Sequence, residues 1–117
     1  MLRVRFPSLA FNIMDKYFHE KIDNWCEVLE QKAKIQTYGP QNIYFWFSVG
    51  KNYYKVIRTD QDTKNDSVHA FVNKKTGDIY KPASWSAPYK QARYNIWTQF
   101  DKLLQDCDWA GSYLYKK

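Results

Sequence analysis

The sequence is poor in the side chains from which catalytic and metal centres are built. It holds two cysteines, Cys26 and Cys107, and two histidines, His19 and His69, in 117 residues. Two cysteines on separate expected helices make neither a disulfide framework nor a zinc site, so buried free thiols in a reducing compartment are expected. No Cys or His pair has ligand spacing, and no serine sits in the glycine-flanked turn of an α/β-hydrolase nucleophile. The four glycines are scattered, which excludes a phosphate-cradling loop. Asp60, Asp62 and Asp66 lie close together but lack the central glycine and closing glutamate of an EF-hand, so they describe a solvated loop. No apolar run approaches the stretch of about 20 residues that a membrane span needs. The expectation is a protein that is not an enzyme and has no cofactor, no metal and no membrane partner.

The first 14 residues, MLRVRFPSLAFNIM, carry two arginines and no acid. They lack the long apolar core and small-residue cleavage site of a secretory signal, so the chain is not expected to be secreted. The stretch is short for a mitochondrial presequence, and Met14 before Asp15 is a second candidate start. Residues 1–14 are therefore set apart as a leader, and 15–117 as one domain.

What the chain does have is rings and positive charge. It contains 5 Trp, 10 Tyr and 7 Phe. Large rings bury much surface each, so one compact core is within reach at this length, and a second is not. The net charge is +6 and unevenly spread. Residues 51–94 hold nine basic side chains against the four acids Asp60, Asp62, Asp66 and Asp78, while 15–36 and 95–117 are close to neutral. A cationic stretch of this kind suits an anionic partner, and equally serves solubility alone.

Periodicity then divides the chain. Phe18, Ile22, Trp25, Cys26, Leu29 and Ala33 recur in steps of three and four, predicting a helix from Asp15, as N-cap, to about Gln36, with Gly39-Pro40 beyond it. His19 falls on its polar side or edge. Runs of β-formers follow at 43–49, 53–59, 67–73 and 78–81, separated by Gly50-Lys51-Asn52, the polar loop 60–66 and Lys74-Lys75-Thr76-Gly77. Short connections make them an antiparallel meander. Alternation in the aromatic run Tyr44–Phe47 points one pair inward and the other outward without saying which. A second helix is expected from near Pro88, with Tyr89, Ala92, Arg93, Ile96, Trp97, Phe100, Leu103, Leu104 and Cys107 on one stripe, either continuous or broken near Asn95 into a short helix and a longer one, and then an extended closing segment at 112–115. The fold class is α+β, a four-stranded antiparallel meander flanked by an N-terminal and a C-terminal helix.

The segment Lys81 to Asn95 is the most distinctive. Trp85 between two prolines, with Lys81, Lys90 and Arg93, fits a site where a ring stacks a base and cations meet phosphate. The same residues also fit a tight corner, with Trp85 as a core plug, Ser86 as a cap and Arg93 as a brace. Asn95 closes the segment, and Lys55 and His69 are candidate neighbours on the sheet.

The block Ser67-Val-His-Ala-Phe-Val-Asn73, Lys75 to Trp85, Ala87-Pro88, Ala92 to Ile96 and Ala110 to Tyr115 resembles small uncharacterised proteins of tailed bacteriophages, those of cyanobacterial and other aquatic phages among them, with large DNA viruses as a further source. The likeness covers roughly residues 53–115 and leaves out the first helix. Where those relatives place glycine before the asparagine, this chain has Tyr94. The resemblance implies a viral origin and residence in the host cytoplasm, and carries over no catalytic residue. The expected function is that of a viral accessory protein binding an anionic ligand, nucleic acid or nucleotide, through Lys81, Trp85, Lys90, Arg93, Asn95, Lys55 and His69. A protein-interaction or virion role, with the charge incidental, is the alternative.

Overall fold

The computed structural model describes residues 13–36 and 42–115. The leader up to residue 12 and the Gly39-Pro40 stop lie outside the described residues. Helix α1 (Ile13–Lys34) buries Phe18, Ile22, Trp25, Cys26, Leu29 and Ala33, the stripe that the spacing predicts. It begins before Asp15, so that residue is not the N-cap but part of the first turn. The Asp15 carboxylate instead accepts a hydrogen bond from the Tyr54 hydroxyl at 2.9 Å. His19, expected at the helix edge, is buried between the rings of Phe47 and Tyr54, 5.2 and 5.3 Å away. The stripe turns toward the sheet far enough to include it, and burial lowers its pKa.

The strands are β1 (Ile43–Val49), β2 (Tyr53–Asp60), β3 (Asn65–Asn73), β4 (Asp78–Tyr80) and β5 (Tyr94–Asn95), antiparallel neighbours in chain order. The class is α+β as expected, with a fifth strand added at the β4 edge. Phe45 and Phe47 are the inward pair of the aromatic run, and Tyr44 and Trp46 face the other way. Across β1 and β2, Phe47 stands opposite Val56, and Val49 opposite Tyr54, so each row presents apolar groups to α1. The turn between β2 and β3 is tighter than the polar loop suggests. Asp60 Oδ1 accepts the amides of Asp62 and Thr63, and Lys64 takes a positive φ of 59°. Those carboxylates shape a turn.

Helix α2 (Phe100–Asp106) starts well after Pro88. It lies beside α1, and Leu103 and Cys107 join the same core cluster as Trp25, Phe45 and Val72. Lys32 of α1 ties the two helices together. Its ammonium donates to the carbonyls of Leu104, Gln105 and Cys107 at 2.9, 3.0 and 2.7 Å, oxygens that a helix C-terminus leaves without internal partners. Glu30 makes a comparable link to the sheet, accepting the Phe45 amide at 2.7 Å. The closing segment is a 3-10 turn, Ser112–Leu114, and not the extended stretch expected. Asp108 organises it by accepting the amides of Gly111 and Ser112 and the Ser112 hydroxyl, while Gly111 takes the left-handed φ of 86° open to glycine.

Candidate anion-binding surface

Two prolines and a run of small residues cannot continue as helix, and residues 81–93 instead fold back as a closed arm. Pro82 bridges Pro88, the Ala83 amide donates to the Ala87 carbonyl at 2.9 Å, and Tyr89 to Lys81 at 2.8 Å. The Arg93 amide then donates to Ile79 at 2.7 Å, which delivers the chain into β5. The helical-looking stripe from Tyr89 to Ile96 is instead a run of bends leading into the two-residue strand β5. The amides of Tyr89, Arg93 and Ile96 donate to the carbonyls of Lys81, Ile79 and Gly77.

The arm crosses the sheet face opposite α1. Lys55 in β2, Phe71 in β3 and Tyr80 in β4 stand side by side on that face, and Trp85 at the arm tip reaches them. The Lys55 ammonium is 4.5 Å from the Trp85 ring centroid and 5.8 Å from that of Phe71. From β4 to β2 is two strand spacings, about 10 Å. Ile57 and Phe71 are buried there, yet stand outside the main core cluster. At the arm's root the Lys81 ammonium sits between Tyr89 and Tyr115, 4.2 and 4.3 Å from their centroids, and the Arg93 guanidinium is 5.9 Å from Tyr89. Trp85, Tyr89 and Tyr115 remain 51, 41 and 54% exposed. A cation over a ring face is favourable while both stay wet, and leaves the ammonium charge of Lys55 and Lys81 open to an incoming anion.

The expected site residues separate into two groups. Lys55, Lys81, Trp85 and Arg93 share this surface, and Lys90 is exposed on the returning limb of the arm. Trp85 is exposed and so is not a core plug. Asn95 belongs to the architecture. Its amide donates to the Thr76 carbonyl and to Asp78, and its oxygen accepts the amides of Trp97 and Thr98, which turns the chain from β5 toward α2. His69 is not a neighbour of Lys55 on the arm face. It marks an irregularity between β2 and β3, packs against Trp25 and Phe45, and shares a 2.6 Å hydrogen bond between Nε2 and the Tyr113 hydroxyl. Burial pushes its pKa down to about 3, so it carries no charge at neutral pH. Asn95 and His69 thus offer no free group to a ligand on the arm face.

Sequence reasoning missed Tyr89 and Tyr115 as parts of the surface. Tyr89 was assigned to a helical stripe, and Tyr115 reaches Lys81 only because the C-terminal turn returns to the sheet. Arg58, at the far end of β2, stands opposite Phe45 and so on the helix face, 5.4 Å from the Trp109 ring centroid.

Fold and surface together define a small α+β domain whose sheet is backed by two helices on one side and crossed by a basic aromatic arm on the other. The chain belongs to DUF7717, a family of unknown function, whose profile matches residues 10–116. That match takes in α1 as well as the sheet and the arm. No curated protein and no solved structure matches the chain. Among the described residues no helix is long and apolar enough to cross a membrane.

Proposed function

We propose that this protein binds single-stranded nucleic acid, as a non-enzymatic accessory protein of a virus, through the arm and the sheet face beneath it. One observation carries this function: the exposed rings of Trp85, Tyr89 and Tyr115 each hold a cation against them. Bases stack on exposed rings whatever their sequence, and neighbouring lysines and arginines follow the phosphates. A surface built for a protein partner would place its rings on a neutral field; here every one of these rings is beside a lysine. Binding rather than turnover is supported by the histidines, both of which are buried. The viral setting rests on the likeness of residues 53–115 to phage proteins.

The test is a salt titration with an oligothymidylate. Lys55, Lys81 and Lys90 meeting three phosphates give a log–log slope of about −2. A flat response between low and moderate salt would overturn the proposal. A second function is favoured by one specific feature: Ile13, Met14 and Tyr17 are exposed at the start of α1, away from the arm. That apolar patch suits a protein partner, and its removal is expected to leave oligothymidylate binding unchanged.

A further inference from the structure

At the end of the sheet where β2 and β3 meet the C-terminal turn lies a pocket of about 50 Å³. Its walls include Arg58, Ser67, His69, Trp109, Gly111 and Tyr115. The polar members come from adjacent positions of the ladder. Arg58 stands opposite Ser67, and His69 is the extra residue of the irregularity next to them. The Arg58 guanidinium lies 5.4 Å from the Trp109 ring centroid, and among the described residues it forms no ion pair with a carboxylate. The Asp108 carboxylate, which acts on His69, is taken up by the amides of Gly111 and Ser112 and the Ser112 hydroxyl. His69 presents a neutral ring whose Nε2 is committed to Tyr113. Tyr115 connects this pocket to the surface above, since the same ring faces Lys81.

We propose that this pocket receives one phosphate monoester, presented by a nucleotide or by the 5′ end of a strand. Its size decides between ligands. A water needs about 10–15 Å³ of such space, so the pocket has room for a few waters or one tetrahedral oxyanion, and none for a base. Buried His69 and Gly111 form part of its wall, and its small room suits a terminal phosphate better than a phosphodiester continuing at both ends. A terminal phosphate enters alone and leaves its nucleoside outside, beside Tyr115. The guanidinium of Arg58 supplies paired donors and the charge, and Ser67 supplies a hydroxyl. The inference rests on the proposed function only in naming a strand end as one source; the pocket itself stands on its own geometry.

The experiment titrates the full chain with inorganic phosphate, thymidine 5′-monophosphate, and two oligothymidylates of about ten residues that differ only in a 5′-phosphate or a 5′-hydroxyl. The phosphorylated strand is expected to bind about tenfold more tightly, an advantage that Arg58→Gln removes without altering affinity for the hydroxyl-ended strand. Ser67→Ala, at an exposed position, is expected to reduce the same advantage about threefold and guards against a folding defect in the arginine variant. If thymidine monophosphate or inorganic phosphate binds in an Arg58-dependent way while neither strand binds, the pocket stands and the nucleic-acid function falls. The pocket is overturned if both strands bind equally and the small phosphates do not bind. It is also overturned if Arg58→Gln weakens both strands alike.

Discussion

The two faces of this sheet are made from alternate residues of the same strands, yet they are finished differently. Toward the helices, Phe45, Phe47, Val56, Ala70 and Val72 join Ile22, Trp25 and Leu29 in one close-packed cluster. Two polar side chains admitted there have specific partners, Tyr54 in Asp15 and His69 in Tyr113. Toward the arm, only Ile57 and Phe71 are buried among the described residues, and the Lys55 ammonium lies near both the Phe71 ring and the half-exposed Trp85 indole. The first face secures the fold. The second sets the ammoniums of Lys55 and Lys81 against ring faces, an arrangement that stabilises little and on which the proposed function rests.

This contrast can be broken or sharpened by measurement. The largest effect is expected from Phe45→Ala, which leaves a cavity under α1 and lowers unfolding free energy by about 3–5 kcal/mol in a denaturant titration. An unchanged midpoint would mean that the helix face is not the core. Next comes acid. His69 has a folded pKa depressed to about 3, below its ordinary value of 6.5, so its contribution is fully present above 6.5 and is lost as pH falls toward 3. Denaturant midpoints at pH 7, 5 and 4 should fall progressively, and His69→Gln should flatten the drop between 7 and 5; a slope unaltered by that change would sink the assignment. Lys32→Met removes the bridge from α1 to the α2 carbonyls and should cost about 1 kcal/mol, with faster amide exchange confined to α2 and the chain after it. The smallest stability effect, within about 0.5 kcal/mol, is expected from Trp85→Ala, which should nevertheless weaken oligothymidylate binding. If Trp85→Ala proved as costly as Phe45→Ala, the two faces would be equivalent and the arm would be structural.

How much of this was legible beforehand follows the same division. The α1 stripe could be read because its apolar residues repeat over 22 residues, enough to fix a period. The meander could be read because turn residues separate its β-forming runs. The segment from Pro82 to Ile96 misled because Tyr89, Ala92 and Ile96 fall at helical intervals by accident of a hairpin and a two-residue strand. Two residues have no period. Within the candidate surface, the lysines, Trp85 and Arg93 were visible as composition, but their pairing was not. Lys55 meets Trp85 across thirty positions of sequence, and Lys81 meets Tyr115 across thirty-four, so only the fold brings them together. Asn95 and His69 looked equally available in the sequence, because nothing there reveals that a neighbouring turn or a tyrosine already occupies them.

Glu30 has a consequence beyond its single hydrogen bond. β1 is an outermost strand, and the amide of Phe45 is the kind of group onto which another polypeptide adds itself. A carboxylate sits there already, and a newcomer would have to evict it into a partly dehydrated space. At the opposite margin β5 offers two residues, too little to template growth. At Phe45 on one border and along β5 on the other, the sheet therefore gives a newcomer little to pair with.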